Sequence, residues 1–181
     1  GRHSTDKVRE IKELAKNSFG IKFTGDACSF EIKQLVNQII FLEKQVDDLE
    51  LKIKSIYSKL DTHLQSIPGI GEALAPVILA EIGDINNFDS PAKLQAFAGL
   101  EPSTYQSRKY TATHAVMVKR GSKYLRWALL NATRLVCMRD KTFNEYKNKK
   151  LAEGKHYFVA LSHTSKKLIR VIYYLLKNST N

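Results

Sequence analysis

Seven hydroxyls crowd the stretch from Glu101 to Met117: Ser103, Thr104, Tyr105, Ser107, Tyr110, Thr111 and Thr113. Arg108 and Lys109 lie among them, and Lys119 and Arg120 follow. A hydroxyl that attacks a phosphodiester needs a proton acceptor or a metal to activate it, and cations to stabilise the phosphorane. The cations are present. The acceptor is not, because the run from Pro102 to Arg139 contains no acid and His114 is its only imidazole. Taken alone, each of these side chains reads as a loop hydroxyl. The five histidines and two cysteines show no zinc-like spacing, and Asp84 and Asp89 read as a turn and a helix cap.

A second candidate is Ile67-Pro68-Gly69-Ile70-Gly71, a short hairpin between helical patterns. Its glycines allow positive φ and close backbone approach, and Pro68 fixes its own φ. Ile70 is expected to plug the hairpin into the flanking apolar faces. The following helix then turns its N-terminal amides outward, where they can hold a phosphate oxygen. This helix-hairpin-helix pattern binds nucleic-acid backbone without reading bases; as a plain connector it needs no ligand. A basic line at Lys119, Lys123, Arg126 and Arg134, at steps of four, three and eight, can track phosphates in the same way. Trp127 offers a ring on which a base can stack, but beside a leucine face it reads as core.

The charge of the 181-residue chain, +11 overall, is unevenly spread. Residues 1–60 carry 11 basic against 9 acidic groups, residues 61–101 carry 1 against 6, and residues 102–181 carry 17 against 3. Such concentration favours a polyanion partner. No apolar run approaches a membrane span and no signal-peptide pattern opens the chain, so no membrane is expected. Cys28 and Cys137 read as reduced thiols of a cytoplasmic protein. The chain opens at Gly1 rather than Met, as a fragment or processed product would.

The elements that must hold these residues are helices. Residues 4–16 are amphipathic, and Asn17 to Ser29 reads as a loop. From Glu31, Ile32, Leu35, Ile39, Leu42, Val46, Leu49, Ile53, Ile56 and Leu60 alternate steps of three and four, a coiled-coil seam. If the strands run parallel, β-branched a positions with mostly Leu at d favour two of them; the flanking charges leave orientation open, and self-association is expected over an intramolecular pairing with residues 4–16. Asp61 to Ser66 link coil to hairpin, as a loop or a continuing helix. Ala73 to Ile82 is a buried helix closed by Gly83, and Asp89-Ser90-Pro91 starts a short helix that Gly99 ends. Helices are expected from Ser122 to about Met138, from Thr142 to Ala152, and from Tyr157 to Lys177. The expected fold is mostly α: an N-terminal helix and loop (1–30), a long coiled-coil helix (31–63) and a compact helical domain with the hairpin motif (64–181).

Residues 64–177 resemble the C-terminal transposase domain of the Piv-invertase-like insertion-sequence transposases. The likeness rests on Ile67-Pro68-Gly69-Ile70-Gly71, Ala80-Glu81-Ile82-Gly83-Asp84-Ile85, Phe88 with Ser90-Pro91, and Ala98-Gly99-Leu100 before Pro102. It continues in Ser107 and in Lys119-Arg120-Gly121-Ser122-Lys123-Tyr124-Leu125-Arg126. Members carry an N-terminal RuvC-like DEDD domain, joined by a coiled coil, and are guided by a bridge RNA. The resemblance implies a serine nucleophile shortly after the Gly99-Leu100-Glu101-Pro102 turn, which falls at Ser107, with Ser103 second. The family usually has glycine after that serine, and this chain has Arg108.

The resemblance also implies that Mg²⁺ belongs to the RuvC-like domain upstream of Gly1, so no cofactor is expected in this stretch. The implied function is that of part of an insertion-sequence transposase, bacterial, cytoplasmic and nucleoid-associated. It would bind DNA and a bridge RNA through Gly69, Ile70, Gly71, Arg108, Lys109, Lys119, Arg120, Lys123 and Arg126, and cleave DNA through Ser107. Without its RuvC-like domain the chain is expected to be inactive. The alternatives are a non-catalytic scaffold for structured nucleic acid and a repair-type, junction-binding module.

Overall fold

The structure, a computed structural model, describes residues 5–18, 25–60, 62–101, 106–107, 110–111 and 117–179. The chain divides into two units, residues 1–51 and 52–181.

The first unit contains α1 (Thr5–Lys16) and most of α2 (Gly25–Tyr57). Val8, Ile11 and Leu14 lie exposed on α1. No residue of α2 is buried, and its seam positions from Ile32 to Leu49 are open along with Phe30, Val36, Ile40 and Phe41. The helix starts at Gly25, inside the stretch expected to be loop. Asp26 in its first turn complements the macrodipole, and helix propagates at little cost from the regular helix that follows.

The second unit is built around α5 (Lys123–Arg139), which packs on α3 (Leu74–Ile82), α6 (Lys141–Ala152) and α7 (Tyr157–Ser179), while α4 (Pro91–Phe97) packs on α7. The chain does not continue α2 as helix into residues 62–66. Helix stops at Tyr57, and a 3₁₀ turn over Leu64–Ser66 brings Leu64 to full burial. Leu64, Ile70, Ile78, Leu94, Leu125, Leu129, Val136, Leu168 and Ile172 join one core, and burying such side chains contributes roughly 1.5–3 kcal/mol each.

Short side-chain caps set the helix starts. Ser90 Oγ accepts from Lys93 N ahead of Pro91, and Ser122 Oγ accepts from Leu125 N. Asp140, after the last residue of α5, accepts from Phe143 N at 3.0 Å and so opens α6 one residue earlier than expected. A small antiparallel ladder pairs β1 (Gln106–Ser107) with β2 (Tyr110–Thr111), Ser107 opposite Tyr110. Trp127 is not core: it is 57% exposed. At about 100° per residue it points away from the arc of Leu125, Leu129, Ala132 and Val136, which fills the core.

Candidate nucleic-acid interface

The turn at 67–71 is fixed by packing. Ile67 and Ile70 are buried, and Ile70 N bonds to Ile67 O at 3.0 Å. Gly69 has φ +105°, and a Cβ there would lie 2.7 Å from Val136 N and 2.8 Å from Leu135 C. Only glycine lets this turn lie against the backbone of α5. Gly71 differs, with nothing within 4 Å of a Cβ. Its carbonyl accepts from Leu74 and Ala75 at the start of α3, where no side chain caps the amides. Glu72 lies exposed beside them and pairs with Lys54 at 2.8 Å.

The basic residues gather at the other end of α5. There the segment 118–122 lies along the end of α4, with Val118 N on Glu101 O at 2.9 Å, Lys119 N on Gly99 O at 3.3 Å and Ser122 N on Phe97 O at 2.9 Å. Gly99 (φ +66°) sits in this seam, where any Cβ would collide with Arg120 O. Arg126 ties the seam together, donating Nη1 to Ala98 O and Lys119 O, each at 3.2 Å. Its guanidinium is therefore committed in part to the fold. Lys119, by contrast, is exposed and has φ +53°, the one non-glycine residue with positive φ among those described. A lysine in the left-handed region costs about 1–2 kcal/mol, and such strain gathers at functional surfaces. Arg120 and Lys123 are also exposed, the latter with Nζ 4.9 Å from the Tyr124 ring centroid.

The structure thus brings Lys119, Arg120, Lys123 and Arg126 together and separates them from Gly69, Ile70 and Gly71. Lys123 and Leu135 stand twelve positions apart on α5, about 18 Å along the helix. Ser107 is described as backbone in β1. Ser103, Arg108 and Lys109 lie outside the described residues.

Two features escaped sequence reasoning. Glu81 accepts a hydrogen bond from Ser122 Oγ, joining α3 to the start of α5; Ser122 alone suggested only a cap. On α7, His163 is held below its ordinary pKa, first by burial and then by Lys166, Lys150 and Lys155. Lys150 Nζ reaches Glu153 at 2.8 Å, and Lys150 and Lys167 flank the Tyr146 ring at 5.7 and 5.3 Å. The sequence shows these lysines one by one; only the α6–α7 pairing makes them a cluster. No helix among the described residues is long and apolar enough to cross a membrane.

Known proteins carry related sequence. Residues 61–148 match the family model "Transposase IS116/IS110/IS902 family". The chain is 28% identical over 152 residues to the insertion element IS110 43.6 kDa protein of Streptomyces coelicolor, covering 82% of this chain and 37% of that protein. It is 28% identical over 116 residues to the transposase of insertion sequence IS1111A from Coxiella burnetii, 63% of this chain and 32% of that one. It is 29% identical over 117 residues to the pilin gene-inverting protein of Moraxella bovis, 64% of this chain and 36% of that one. The chain therefore spans only about a third of the length of these relatives. The match from 61 to 148 takes in the hairpin, the seam around Gly99, the Ser107 ladder and α5, so the segment that builds the candidate interface is similar to the transposase domain of the IS116/IS110/IS902 family.

Proposed function

We propose that this chain is the DNA-handling part of an insertion-sequence recombinase, with Ser107 as the nucleophile for strand cleavage and exchange. The observation that carries the reading is the family match over 61–148, which takes in the acid-free, basic run from Pro102 to Arg139 and Lys119 in its strained, exposed conformation. Ser107 Oγ attacks a DNA phosphorus, the Oγ–P ester forms as a P–O bond of the strand breaks, and the released DNA oxygen takes the hydroxyl proton. Lys119, Arg120, Arg108 and Lys109 are assigned to the phosphate charge. The Ser107 role itself rests on the resemblance.

Among the described residues no three His, Cys, Asp or Glu side chains gather to hold a metal ion. We assign Mg²⁺ to a RuvC-like domain of the longer protein, and no step here passes through it. A bridge RNA is a second proposed partner. A second copy is proposed to cover the open seam of α2, since a long row of exposed a and d side chains is the surface that coiled coils bury. The helix-hairpin-helix reading of 64–82 is retained as a backbone-binding role for Gly71 and the start of α3.

The test compares wild type and Ser107→Ala in the full-length protein with DNA substrate and guide. Normal DNA binding with recombination abolished is the expected result. Unchanged recombination would leave the scaffold reading in its place.

A further inference from the structure

The exposed side of α5 carries a row that neither the core nor the phosphate-binding reading explains. Tyr124, Trp127, Asn131, Arg134 and Met138 follow at steps of three, four, three and four, so they share one side of the helix with Lys123, within an arc of about 100°. Tyr124 is 58%, Trp127 57% and Met138 75% exposed, and Lys123 and Arg134 are exposed beside them. Asn131 is tied back to its own helix through Nδ2 on Trp127 O at 2.9 Å. An isolated apolar side chain at a surface needs no explanation. Two large aromatics and a methionine in line, flanked by cations and on an element without a single acid before Asp140, are a different arrangement.

We propose that this row is a stacking platform for unpaired DNA bases. The Tyr124 and Trp127 rings would receive two bases, Lys123 and Arg134 would hold the phosphates between and beside them, and Met138 would extend the apolar floor. This is the combination by which single strands are held without sequence preference, aromatic faces for bases and cations for backbone. Charge complementarity selects the occupant: a protein segment would need acidic side chains to match this side of α5, whereas a nucleic-acid strand brings its phosphates. Duplex DNA keeps its bases stacked on one another and cannot use the rings, so the platform distinguishes opened strands from closed ones. The proposal rests on the DNA-handling reading above and adds to it the state of the strand that α5 receives.

Trp127 is the only tryptophan in the chain, so its fluorescence reports this platform alone. The 181-residue chain would be titrated with a labelled 20-nucleotide single strand of mixed sequence, with its duplex, and with the RNA strand of the same sequence. Label anisotropy reads binding and Trp127 emission reads stacking. The expected result is binding with quenched emission for the DNA strand and binding without quenching for the duplex. Trp127→Ala should weaken single-strand binding by about tenfold or more and leave duplex binding within about twofold, while Trp127→Phe recovers most of the loss. Binding of the DNA strand with unchanged emission, and no loss in Trp127→Ala, would overturn the platform and leave the DNA-handling reading standing. Tighter, quenching binding of the RNA strand would overturn the assignment to DNA. A lowered sedimentation coefficient in Trp127→Ala with single-strand affinity intact would show a protein contact instead. Absence of binding to any of the three would remove both readings.

Discussion

At the scale of residues, the two hairpin glycines separate structure from function. A methyl at Gly69 would run into the α5 backbone and force positive φ on alanine. Gly69→Ala should therefore cost about 2 kcal/mol or more of stability, measured by urea unfolding. Gly71→Ala meets nothing and should change stability by less than about 0.5 kcal/mol, so any loss of DNA affinity there reports a backbone contact. Lys119 offers the reverse trade. Lys119→Gly relieves the left-handed strain, so stability should hold or rise by up to about 1 kcal/mol, while DNA affinity falls. A parallel fall in both would make Lys119 a structural residue only. The thiols also differ: Cys28 is exposed, whereas Cys137 is buried, its pKa raised by that burial, and it donates to Phe143 O at 3.7 Å. One equivalent should react promptly with a thiol reagent in the folded protein and the second only after denaturation; two fast equivalents would contradict the packing.

At the scale of elements, helices α3 to α7 were legible because punctuation and periodicity agree. Ser90-Pro91, Ser122, Gly83 and Gly154 mark boundaries by backbone chemistry that needs no tertiary partner. What failed were the places where tertiary packing decides. The chain leaves the helix and turns at Leu64, whose side chain the core takes. The neighbours of Trp127 point to the core, but its angular position places it outside the buried arc. Arg126 read as part of a basic line, and the fold uses it to clamp the seam at Gly99. The α6–α7 cluster yields a prediction of its own. His163 has a folded pKa below its unfolded value near 6.5, so its contribution to stability is present above about pH 6.5 and is lost as pH falls toward the folded pKa. Thermal midpoints should drop from pH 7.5 to 5.5, and His163→Gln should reduce that drop. An identical pH profile in the variant would remove His163 as the source.

At the scale of the whole molecule, the first unit presents an open apolar seam and the second a basic surface. If a second copy covers the seam, Ile39→Asp with Val46→Asp should lower the sedimentation coefficient; an unchanged value would exclude the seam as the contact. If DNA covers the basic surface, affinity should fall steeply from 50 to 200 mM salt through counterion release, and a flat response would count against several phosphate contacts. The central claim is covalent, and one measurement reaches it directly. The full-length protein, its guide and a DNA substrate are denatured during reaction and the protein–DNA adducts are resolved for wild type, Ser107→Ala and Ser103→Ala. The account predicts an adduct in wild type and Ser103→Ala that is absent in Ser107→Ala. An adduct that survives in Ser107→Ala, or none in wild type when a control recombinase traps under the same conditions, would contradict it.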